Sequence, residues 1–296
     1  MSIFFALSLF AASTGAAADC ARASEAVMLV ARGDAVLSSN VDEAIAYYEK
    51  ASHVQAADAE ILWKLALAFK RKADWAHVAS VLERACALAP AHAGFFFLRG
   101  YALERLERFA DARAPLEQAI ALDPAYADPE YDLAEVLLHL GDEKGALEHY
   151  TKAIQKKPTE LASFSALADL YVRLGFLDHA EKTLRAGLAF DAKDGRAFPL
   201  HLMLADVLTR KKDPAHAITE LEAAQSACGA CSDYGQQIVF FSLGAAYALA
   251  KVPRKEEAIT NLVAFEKMIC RGAGASRYPD ECGETAELLR RLGAIP

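Results

Sequence analysis

From Ala59 onward the apolar residues fall at intervals of three and four, and the pattern restarts every 34 residues. In the stretch from Ala127 to Pro158, Leu133 and Ala134 are followed by Leu137 and Leu140, then by Gly141-Asp142, and then by Ala146, Tyr150 and Ala153. Intervals of three and four put side chains on one face of a helix, so the stretch predicts two short amphipathic helices. Gly141-Asp142 supplies the turn between them. Pro158 stands where a helix cannot continue, and Pro90, Pro124 and Pro158 lie 34 residues apart. The chain reads as a series of helical hairpins rather than one compact enzyme domain.

Neighbouring stretches share the frame. From Ala59 the matching residues are Leu62, Leu65, Ala66, Phe69, Val78, Leu82, Ala85 and Pro90. From Ala93 they are Phe96, Arg99, Gly100, Leu103, Ala112, Leu116, Ala119 and Pro124. From Leu161 they are Phe164, Leu167, Ala168, Tyr171, Ala180, Leu184 and Gly187, with Ala192 replacing the proline. An opening unit from Glu25 carries Ala44, Tyr48 and Ala51, whereas Met28, Ala31 and Arg32 fit its first helix poorly. Two later units have drifted. One shows Leu204, Ala205, Leu208, Ala217, Leu221 and Ala224 after a three-residue insertion; the other shows Leu243, Gly244, Tyr247, Ala258 and Leu262. The small residues Ala66, Gly100, Ala134 and Ala168 let helices approach, and the large ones fill the space between units.

These positions resemble the tetratricopeptide repeat pattern W-x2-L-G-x2-Y…A-x3-F…P. The resemblance implies an all-α fold: a right-handed superhelical solenoid of stacked helix-turn-helix repeats. Seven units, starting near residues 25, 59, 93, 127, 161, 198 and 237, would occupy residues 19–265. Residues 266–296 would hold a cysteine-bearing loop and a capping helix, Glu281 to Leu292, since terminal repeats must shield the open core.

The resemblance also implies that the first helix of each unit lines a concave groove. The residues following the tryptophan position are Trp63, Phe97, Tyr131, Ser165 and Leu202, and those following the glycine position are Leu67, Tyr101, Glu135, Asp169 and Asp206. Farther along the same helices stand Arg71, Arg105, Arg173 and Arg210. The line runs from aromatic to acidic, and aromatics beside arginines are common protein-interface hot spots. Arginine near a helix end is also favoured by the helix dipole alone. Two known uses of the family rely on groove asparagines, to grip carboxylate tails or peptide backbone. This chain has only Asn40 and Asn261, at neither kind of position.

Charge narrows the partner class. A formal net charge of −8 and a pI near 5.5 disfavour a nucleic-acid or anionic membrane surface as ligand. After the first residues no apolar run approaches the ~18 residues of a membrane span. Residues 1–18 differ from the rest: an apolar run from Ile3 to Ala12, then Ser13-Thr14-Gly15 and Ala16-Ala17-Ala18, read as a secretory signal peptide lacking an early Lys or Arg. The expected location is therefore extracytoplasmic, periplasmic or secreted, with a cytoplasmic adaptor as the alternative.

Four of the six cysteines, Cys228, Cys231, Cys270 and Cys282, fall in the last quarter. In an exported chain they predict disulfides, with Cys270–Cys282 and Cys228–Cys231 the preferred pairs. Four thiolates holding zinc, or a redox C-x2-C, remain open. Cys86 reads as a buried small apolar residue. The eight histidines are scattered without metal-ligand spacing, and His149 and His179 are expected on exposed faces of second helices. No catalytic motif occurs, and neither a metal nor a cofactor is expected. These readings converge on a non-enzymatic scaffold that binds a protein or peptide. The alternative is a zinc-holding or enzyme-accessory ligand-binding module.

Overall fold

In this computed structural model the described residues are 21–190, 197–227, 242, 243, 245, 254–271 and 279–295; they form helices and connecting turns, with no strand among them. Helix α1 runs over residues 21–36. It is followed by α2 (Val41–Val54), α3 (Ala59–Arg71), α4 (Trp75–Leu88), α5 (Ala93–Arg105), α6 (Phe109–Leu122) and α7 (Asp128–His139). Next come α8 (Glu143–Lys156), α9 (Leu161–Arg173), α10 (Leu177–Leu188), α11 (Phe198–Arg210) and α12 (Pro214–Ala227). After these come α13 (Lys255–Phe265), a π-helical turn (Glu266–Cys270) and α14 (Pro279–Arg291).

The chain divides into two compact units, Met1–His149 and Tyr150–Pro296. In the first, α3 packs on α4, α4 on α5, α5 on α6 and α6 on α7, while α5 also meets α7. In the second, α9 packs on α10, α10 on α11 and α11 on α12, while α9 also meets α11. Within each unit these helices thus pack on a hairpin partner and on the neighbouring hairpin, the arrangement of tetratricopeptide-like repeats.

One local motif sets the hairpins. The backbone turns left-handed at Ala73 (φ 54°), Glu107 (φ 58°), Gly141 (φ 82°), Gly175 (φ 79°) and Lys212 (φ 63°). The N–H of the following residue reaches back to the helix: Asp74 to the carbonyl of Phe69, Arg108 to Leu103, Asp142 to Leu137, Phe176 to Tyr171 and Asp213 to Leu208. This double-bonded helix ending satisfies carbonyls that would otherwise lack partners. At the other end of the hairpins, α4, α6 and α8 stop just before Pro90, Pro124 and Pro158, because a proline disfavours helical backbone in the residue preceding it.

The assigned apolar positions form the core. Leu62, Leu82, Leu116, Ala134, Ala168, Leu184, Leu204 and Ala217 are at most 1% exposed. Small residues mark the closest approaches. A Cβ added at Gly100 would lie 2.6 Å from Leu116 Cγ, and one at Gly187 would lie 2.6 Å from Leu200 Cδ2.

In the first hairpin Met28, Ala31 and Arg32, which fit the repeat pattern poorly, are exposed, whereas Ala26 and Gly33 are buried. Gly33 lies under Tyr48, where a Cβ would come within 2.5 Å of the ring, so the small residue at the crossing is Gly33. The helical path continues past residue 265 through Cys270, the first of the two cysteines expected to flank the loop, whose residues 272–278 lie outside the described residues. In the seventh unit, Gly244 and Tyr247 lie outside the described residues, while Leu243, Ala258 and Leu262 are buried.

Candidate functional site

Among the expected groove residues, Trp63, Leu67, Phe97, Tyr101, Tyr131 and Glu135 are half-buried, and Arg71, Arg105, Asp169 and Arg173 are exposed. In the first unit several of them meet. Phe97 and Tyr101, one turn apart on α5, have ring centroids 6.4 Å apart. Tyr126, in the segment before α7, sets its edge against Phe97 at 4.9 Å. Trp75, the first residue of α4, meets Tyr101 edge-on at 5.4 Å. Edge-to-face contacts suit the ring quadrupoles. Two cations flank this belt: Lys70 Nζ lies 5.8 Å from the Tyr101 ring centre, and the Arg105 guanidinium 5.9 Å from that of Trp75. Trp63 stands apart from it, against Phe95 at 5.2 Å and His92 at 6.1 Å.

Beside the belt are carboxylates. Asp132 on α7 is 8% exposed, and its Oδ2 has no hydrogen-bond partner among the described residues. Glu104 on α5 likewise has a buried, unpartnered Oε2. Burial foremost, then the charges of Glu104, Asp128 and Glu135, push Asp132 up to about 8, with Lys70 opposing. Burial and then Glu135 push Glu104 up to about 7, with Arg105 opposing. Tyr131 is hydrogen-bonded to Glu135, and burial together with that carboxylate raises its phenol. Burial and Asp128 push Tyr126 up to about 12. Losing water's stabilisation disfavours each ionised form.

The arginine row divides by local partner. Arg71 Nη1 donates to the carbonyl of Leu37 at 2.8 Å, and Arg105 lies against Trp75. In the second unit Arg173 pairs with Asp169 at 3.3 Å and Arg210 with Asp206 at 2.8 Å, each one helical turn away. There the expected acidic groove positions face their own helix's cations.

A further pair contradicts the expectation for His149. Its side chain is 20% exposed, and its Nδ1 lies 2.6 Å from Oε2 of Glu130, which is 2% exposed. Glu130 occupies the bulky tryptophan position of its repeat, where Leu62, Phe96 and Phe164 stand in others. The sixth repeat has the same pair with its members exchanged: His201 on α11 sits 2.8 Å from Glu220 on α12. His179 is exposed, as expected. His77 and His216 are also exposed and bond the carboxylates of Asp74 and Asp213 at the starts of α4 and α12.

Sequence reasoning missed Trp75, Tyr126, Glu104 and Asp132. A signal existed for Asp132, which stands where the preceding repeat has the buried Leu98. Tyr126 lies between helices, where no periodicity guides assignment. Cys270 and Cys282 come together with Cα atoms 5.6 Å apart, within disulfide reach. Cys228 and Cys231 lie outside the described residues. Burial pushes the Cys86 thiol up to about 11.

Two tetratricopeptide repeat profiles match the chain, one over residues 76–127 and 97–160, the other over 137–200. No curated protein sequence matches it. Among solved structures, the C-terminal part of a TPR repeat-containing protein from Cytophaga hutchinsonii is 16% identical with a TM-score of 0.67, covering 84% of this chain and 98% of that one. MamA is 26% identical with a TM-score of 0.52, over 53% of this chain and 93% of its own. YrrB, described as a TPR protein with an unusual peptide-binding site, is 19% identical with a TM-score of 0.50, over 62% and 93%.

Proposed function

As the chain belongs to the tetratricopeptide repeat family, we propose that it is a non-enzymatic scaffold that holds a protein or peptide segment against the first helices of its repeats. The observation that carries this reading is the half-buried belt of Trp75, Tyr101, Phe97 and Tyr126 with Lys70 and Arg105 at its edges. Rigid aromatics beside cations give large contact area at small entropic cost, and such residues dominate interface energetics. Among the described residues no three His, Cys, Asp or Glu side chains converge as metal ligands would. No helix among them is long and apolar enough to cross a membrane. An extracytoplasmic location is part of the proposal and rests on the apolar run and small residues of 1–18, outside the described residues.

The test is a matched co-purification from the native host with wild-type protein and a Phe97→Ala/Tyr101→Ala variant of unchanged helical signal. The reading expects a stoichiometric protein retained by the first and lost by the second. Equal recovery with both would place the interface elsewhere. The amino-terminal residue of the same preparation reports on export: a start near Asp19 fits it, and an intact Met1 contradicts it.

A further inference from the structure

A buried carboxylate without a hydrogen-bond donor costs free energy that a folded protein ordinarily avoids. The first unit has two such oxygens, Asp132 Oδ2 and Glu104 Oε2, on neighbouring first helices, and Asp132 is only 8% exposed. The two cations of the belt lie over rings instead, Lys70 Nζ 5.8 Å from the Tyr101 ring centre and the Arg105 guanidinium 5.9 Å from that of Trp75, and neither hydrogen-bonds these oxygens. The belt rings Phe97 and Tyr101 stand on the same helix as Glu104. Charge, orphaned acceptors and flat aromatic faces therefore occur together.

We infer that this corner of the groove receives a basic side chain, an arginine above all, from the bound protein or peptide. The inference rests on the groove reading and adds the chemistry of the partner. A guanidinium offers five N–H donors in a planar fork that satisfies two carboxylate oxygens and stacks on an aromatic ring. A metal ion fits less well, since no set of three ligands converges among the described residues. The charges of Glu104, Asp128 and Glu135 act on Asp132 against that of Lys70, and the charge of Glu135 acts on Glu104 against that of Arg105, so a positive charge arriving at the two orphaned oxygens is favoured.

A phage-displayed library of random peptides, selected on the full chain, tests this. Selected sequences should carry an arginine whose replacement by citrulline, which keeps the shape and removes the charge, weakens binding about tenfold or more. Asp132→Asn and, independently, Glu104→Gln should weaken the arginine peptide similarly and leave the citrulline peptide unchanged. Binding of the arginine peptide should also tighten between about pH 6 and about pH 9, as the two carboxyls lose protons that compete with the guanidinium. Peptides lost on Phe97→Ala but indifferent to citrulline and to both carboxyl variants would overturn the arginine pocket while leaving the groove intact. Failure to select any peptide would overturn the groove reading and the pocket with it.

Discussion

Ala73, Glu107 and Lys212 hold a left-handed backbone that Gly141 and Gly175 adopt at equivalent turns. A Cβ in that conformation crowds the following carbonyl and costs about 1–2 kcal/mol, part of which glycine loses again through its freer unfolded chain. Replacing any of the three with glycine should raise stability by about 0.5–1 kcal/mol in urea unfolding. Gly141→Ala should lower it by a similar amount, and purely through backbone strain, since nothing lies within 4 Å of the added methyl. Asp132 makes a second prediction at this scale. Its carboxyl holds its proton more tightly folded than unfolded, so native stability falls as pH rises from about 4 through about 8. Asp132→Asn should match wild type near the acid end and exceed it by about 1–3 kcal/mol above pH 8. A pH-independent difference would contradict the burial described for this group.

Helices and turns were legible because they repeat a physical requirement: each hairpin needs a small residue at its crossing and a stop at its end. Leu62, Ala66 and Leu82 announce this through their spacing, and all three are fully buried. Where the requirement is met by an exception, periodicity misleads. The first hairpin moves its small residue to Gly33, one position on, and a repeat template laid over Arg32 misses it. Glu130 and Asp132 were legible only as carboxylates at apolar positions; that Glu130 meets His149, and that Asp132 Oδ2 has no hydrogen-bond partner among the described residues, shows only in three dimensions. Packing at the crossings gives a direct comparison. Ala134→Leu and Ala168→Leu each overfill a fully buried position and should cost about 1–3 kcal/mol, whereas Glu143→Leu, at an exposed site, should cost little. Equal loss of thermal stability in all three would undo the register. The Glu130–His149 pair invites a double-mutant cycle. Glu130→His and His149→Glu should each destabilise, and combining them should restore a large part of the loss, because the sixth repeat already uses the exchanged arrangement.

For a molecule built by stacking, stability is distributed among neighbour contacts and is weakest at its ends. The final helix α14 buries Leu288 and Leu289 against Leu262 of α13, and the reach between Cys270 and Cys282 links the two elements. If bonded, the link closes a loop whose entropy is worth roughly 3 kcal/mol before strain. Reduction should speed hydrogen exchange first in residues 254–295, with α3 to α7 still protected. Uniform loosening along the chain would show that the end is not held in this way.

The exchanged Glu130–His149 and His201–Glu220 pairs also bear on how such a chain avoids assembling wrongly. Near-identical hairpins invite a first helix to dock on the second helix of another repeat during folding. If α7 docked on α12, Glu130 would meet Glu220; if α11 docked on α8, His201 would meet His149. Either error buries two like groups at the site of a complementary pair, whereas the correct hairpins bring a carboxylate and an imidazole together. By this reasoning the opposite order of the two pairs would disfavour the wrong docking in both directions, since each helix then meets a group like its own.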